Sequence, residues 1–62
     1  MGMDRVSAIS PAEELASDII DVHGPRAGEI ARANARRAAL VGLTAEARQW
    51  IEVLRAIQRR AA

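Results

Sequence analysis

Apolar and polar residues recur along this 62-residue chain with the period of an α-helix in three stretches, punctuated by glycine and proline. At 100° per residue, Leu15, Ala16, Ile19, Val22 and His23 fall on one side of the first stretch, and Glu13, Glu14, Ser17, Asp18 and Asp21 on the other. Ser10-Pro11-Ala12-Glu13 marks its start. Serine can cap the third helical amide, proline loses no hydrogen bond at the first helical position, and Glu13 can bond back to Ser10. The pattern predicts a helix over about 11–23, stopped by Gly24 in a left-handed conformation, with Pro25 opening the next helix.

The second stretch, about 25–41, sets Ala27, Ile30, Ala31, Asn34, Ala38 and Val41 against Arg26, Glu29, Arg32, Arg36 and Arg37. Its inner face is mostly alanine, which permits close helix approach but buries little area per residue. Gly42 ends it, Leu43 is expected to fold back on the core, and Thr44 to cap the third helix, about 45–60. There Ala47, Trp50, Val53, Leu54, Ile57 and Ala61 oppose Arg48, Glu52, Arg55 and Arg59, and Glu52 stands within pairing distance along the helix of both Arg48 and Arg55. Ile51 lies at the flank of the apolar face and Leu40 off the stripe of the second helix, which makes both candidates for an exposed apolar contact. The expected fold is therefore all-α, a three-helix domain over 10–62 behind a flexible segment, 1–9, that is either frayed or structured only on docking.

Composition changes this picture in one respect. Half the residues are apolar, but 14 of them are alanine and Trp50 is the single aromatic. So short a chain with so few large side chains struggles to close a core by itself, and completion by a second copy or by a larger subunit is expected. The residues expected at that contact are Asn34, Ala38, Leu40, Val41, Trp50, Ile51, Leu54 and Ile57. Asn34 is the polar intrusion on the second stripe; it either fixes register in an interface or lies at the wet edge of the stripe. The absence of cysteine excludes disulfides and thiolate metal sites. No apolar run approaches the roughly 20 residues of a membrane span, and no apolar signal core follows Asp4 and Arg5, so a cytoplasmic location is expected.

The net charge of +1 conceals a division. Residues 1–30 carry six acids against Arg5 and Arg26, a balance of −4, and residues 31–62 carry seven arginines against Glu46 and Glu52, a balance of +5. Every cation is arginine, as a genome rich in G and C favours, although the guanidinium fork also suits carboxylates and phosphates.

Chemistry is sparse. His23 is the only imidazole, and Asp21-Val22-His23 supplies too few ligands for a metal; a histidine at a helix C-terminus, packed at the edge of the core, is the simpler reading. Glu13 with Glu14, and Asp18 with Asp21, read as solvated faces rather than acid/base pairs, and no glycine-rich phosphate loop exists. No enzyme activity, cofactor, metal or small-molecule substrate is inferred. The competing reading is a small helix-turn-helix-like DNA regulator that uses the third helix. Ala38, Val41, Gly42, Leu43 and Ile51 match its turn and some packing positions, and Arg32, Arg36, Arg48 and Arg55 would meet phosphates. Against it, Arg37 and Arg48 occupy positions that the motif fills with apolar residues, and the second helix is about twice the usual length.

The run from Ile19 to Ile57, with His23-Gly24, alanines at 27, 31 and 38, Gly42, Ala47, Trp50 and Leu54, resembles short uncharacterised helical proteins of alphaproteobacteria. That resemblance implies a small bacterial accessory protein and transfers no site.

Overall fold

The structure, a computed structural model, describes residues 10–61, with side chains to Arg60; the expected N-terminal segment and the Ala61 side chain lie outside that range. The described residues form α1 (Pro11–His23), a 3-10 turn (Gly24–Arg26), α2 (Ala27–Leu40) and α3 (Thr44–Ala61), with no strand among them. The all-α class holds. The expected separation into three helices is modified, because no non-helical residue divides α1 from α2. They form one bent helical run from Pro11 to Leu40, and α3 is the second run. The bend sits at Gly24, whose φ of 58° and ψ of −129° are open to glycine alone at little cost.

Local chemistry explains the ends. The Ser10 hydroxyl accepts the Glu13 amide at 3.2 Å, and Pro11 occupies the first helical position. At the other end of the bent run Leu43 N–H donates to the Ala38 carbonyl at 2.8 Å and Gly42 N–H to that of Ala39 at 3.1 Å, while Gly42 takes a φ of 81°. This is the Schellman arrangement, which satisfies the orphan carbonyls of the last turn. Thr44 is not the cap expected of it. It is the first helical residue, and Leu43, whose carbonyl accepts the Ala47 amide, holds the cap position. Leu43 does not fold back on the core either: it is half exposed.

α2 and α3 form the largest interface, α1 packs mainly on α3, and contact between α1 and α2 is sparse. The core is built of Ala16, Ile19, Ala27, Ala31, Val53, Ala56 and Ile57, and Val53 is its one large side chain exposed by less than 2 %. α1 is rotated from the expected stripe. Ala16 and Ile19 are buried with Ala12 and Ile20 packed beside them, whereas Leu15 is more than a third exposed, Val22 three-quarters, and His23 is exposed rather than at the core edge. Ala16 and, partly, Ala12, small side chains four apart, are turned to the core, and the bulkier Leu15 and Val22 are left at the side. On α3, Ala56 is buried although the single-stripe reading omitted it. A helix that meets two neighbours buries a wider face than one stripe.

Candidate functional site

Large apolar side chains left in contact with solvent define the candidate site where they cluster. Leu15, Val22, Leu40, Val41, Leu43 and Ile51 are all exposed. Three of them gather around Trp50, which is half-buried and lines two adjoining grooves. The first groove, of about 220 Å³, lies between Pro11, Ala12 and Leu15 of α1 and Glu46, Gln49, Trp50 and Val53 of α3. The second, of about 160 Å³, lies between Asn34, Arg37 and Ala38 of α2, Val41 and Leu43 of the turn, and Glu46 and Trp50. Trp50 and Glu46 line both, so the grooves form one surface divided by the indole.

Each element places its share for a local reason. The Schellman turn projects Val41 and Leu43 outward at the end of α2, because backbone hydrogen bonds, not side-chain burial, decide their direction. The rotation of α1 leaves Leu15 on the near side of Trp50. Asn34 is half-buried in the second groove, the edge position rather than the core.

The residues expected at a partner contact thus divide. Asn34, Val41 and Trp50 come together at this surface, and Ala38 contributes to its floor although only 5 % exposed. Ile57, at 6 %, is core and offers little to a partner. Leu54 is half-buried and packs against the core, with its Cδ1 near Gly28 of α2. Leu40 and Ile51 are exposed but line neither groove. Leu15 and Leu43 were missing from the expectation: Leu15 was placed in the core by its period, and Leu43 by its position after the turn.

Electrostatics follow the sequence division with one addition. Arg59 Nη2 donates to Glu13 Oε2 at 2.7 Å and Arg60 Nη2 stands 3.6 Å from Glu13 Oε1, tying the last turn of α3 to the first turn of α1. Hydrogen bonding to Arg59 holds the Glu13 carboxyl below its ordinary pKa. Glu13 is therefore not a purely solvated acid, and its side chain is turned to the arginines. Arg26 pairs with Glu29 and Arg55 with Glu52, each at 3.6 Å. Among the described residues Arg32, Arg36, Arg37 and Arg48 make no ion pair, nor do Glu14, Asp18, Asp21 and Glu46. Of the four arginines expected to meet phosphate, Arg32 and Arg36 share a shallow surface on α2, Arg48 is exposed on α3, and Arg55 is engaged by Glu52.

Among the described residues no group of three or more His, Cys, Asp or Glu gathers as a metal site, and no helix is long and apolar enough to cross a membrane. Compared with family models, curated proteins and solved structures, the chain matches none.

Proposed function

We propose that the chain is a small helical protein–protein interaction module of the cytoplasm, working as a homodimer or as an accessory subunit of a larger complex. In this reading α1, α2 and α3 make a three-helix domain that receives further apolar cover from another chain, and no catalytic role or cofactor is assigned to it. The observation that carries the reading is the apolar surface around Trp50, with Leu15, Val41 and Leu43 in contact with solvent over a core made largely of alanine. A core of small side chains gains little from burial, and an exposed apolar cluster gains from being covered. Both deficits are met by one docking event.

The test pairs melting with capture. The double variant Val41→Asp/Leu43→Asp alters side chains that are already half or more exposed, so the isolated fold should survive it. Parent and variant are melted at dilute and concentrated protein, and used as bait in source-cell extract. The expected result is a melting temperature that rises with parent concentration, or a captured protein that the variant loses. A parent that melts sharply at every concentration and captures nothing the variant misses would remove the proposal.

The DNA-regulator reading rests on Arg32, Arg36 and Arg48, which make no ion pair among the described residues. It requires duplex affinity that falls with salt at a log–log slope of about −0.9 per phosphate neutralised.

A further inference from the structure

We infer that the occupant of the Trp50 surface is a second copy of this chain, docked about a two-fold axis that runs along the Trp50 divide. The inference rests on the interaction-module reading and commits it to one partner. Its ground is the charge that flanks the divide. On one side α1 presents Leu15, and on the same helix Glu14 and Asp18 line a separate surface with Glu13, Ser17 and Arg60, neither acid making an ion pair among the described residues. On the other side α2 and its turn present Val41 and Leu43 with Arg37, which lines the groove together with Glu46 and makes no ion pair among the described residues. The surface is thus apolar through its middle, with three carboxylates against Arg60 beyond it on the α1 side and Arg37 beside Glu46 on the α2 side.

An isologous contact places each flank over the opposite flank of its copy. Rotation about the divide sets the acidic side of α1 on the basic side of α2 twice over, and brings Trp50 against its own counterpart. Glu46, which lines both grooves and makes no ion pair among the described residues, offers a further carboxylate to the incoming Arg37. A uniformly charged partner satisfies only one of the two flanks; a second copy satisfies both.

A charge exchange tests this. Arg37→Glu and Asp18→Arg change exposed residues, and each turns two symmetry-related attractions into repulsions. By sedimentation and by the emission of Trp50, the single tryptophan, each variant alone should dimerise about tenfold more weakly than the parent. Mixed in equal amounts, the two should associate better than either does alone, because in the mixed dimer one contact is a swapped pair of opposite charges and the other is the native pair of Asp18 and Arg37, so neither is repulsive. Added salt should weaken the parent dimer. Circular dichroism of each variant at dilute protein shows that the helices are retained, and a variant that has lost them is replaced by Arg37→Gln or Asp18→Asn, for which a smaller weakening is expected. The inference is overturned if the parent stays monomeric over about a hundredfold range of concentration, or if both variants associate as the parent does. In the first case a protein captured by the parent and lost by Val41→Asp/Leu43→Asp would leave the interaction module standing with a different partner. In the second, self-association would stand on another face.

Discussion

Glu13 shows how one side chain joins local and distant structure. Its amide completes the Ser10 cap, while its carboxylate receives Arg59 and Arg60 from 46 and 47 residues away. The ions are partly exposed, so the pair contributes little to overall stability. Its pH signature is nevertheless definite. The folded-state pKa is depressed by Arg59 first and foremost. The contribution is therefore present in full above the unfolded-state value, roughly 4.3 for a glutamate, and is lost as pH falls through the lower folded value. Glu13→Gln should flatten the dependence of stability on pH in that acid window and leave the neutral limb parallel to the parent, as read by denaturant unfolding at a series of pH values. An unchanged acid limb would show that the arginines do not hold Glu13 in solution.

At the scale of elements, the same glycine-to-alanine change should act in opposite directions at three positions. Gly28 lies inside α2 with Leu54 Cδ1 3.9 Å from where a Cβ would stand, an ordinary contact. Gly28→Ala should stabilise by about 0.5–1 kcal/mol, because it lowers the entropy of the unfolded chain and improves helix propensity. Gly42 has open space but a φ of 81°, so Gly42→Ala should cost about 1–2 kcal/mol at the Schellman turn. Gly24, with φ 58° and ψ −129°, lies beyond the ordinary left-handed basin, and Gly24→Ala should cost up to about 3 kcal/mol by straightening or breaking the bend. Thermal melts of the three variants check both the sign and the order. A stabilised Gly24→Ala would mean that α1 and α2 need no bend at this point.

For the whole molecule, the burial pattern makes Val53, not Trp50, the structural anchor. Trp50 is the largest apolar side chain but stands half-buried between two grooves, whereas Val53 is 1 % exposed at the centre of the core. Val53→Ala should cost about 2–3 kcal/mol, lost transfer energy plus a cavity that neighbouring alanines cannot relax to fill. Against the roughly 3–5 kcal/mol that a core of this size supplies, that is enough to broaden or abolish cooperative unfolding. Trp50→Ala should cost the dilute monomer less than the 3–5 kcal/mol typical of a fully buried tryptophan, and should cost self-association more. If Trp50→Ala unfolds the dilute monomer while Val53→Ala melts near the parent, the anchor assignment is reversed.

Start and stop signals act within a turn or two of chain, and the sequence alone determined them: Ser10-Pro11 opening α1, Gly24 at the bend, Gly42 closing α2, and the helical class itself. It also revealed the shortage of large core side chains, because that is a matter of composition. The tertiary structure decided which part of each apolar face is covered, since this depends on how closely neighbouring helices approach. With Ala12 and Ala16 turned to the core, Leu15 and Val22 are left outward, and contact of α3 with two neighbours buries Ala56. Glu13 with Arg59, and Trp50 with the turn of Val41 and Leu43, are likewise meetings between residues that share no local spacing. A periodic pattern fixes the apolar side of a helix relative to its own axis, but only packing fixes how far that side is rotated toward its neighbours, and the exposed surface is what this rotation leaves uncovered.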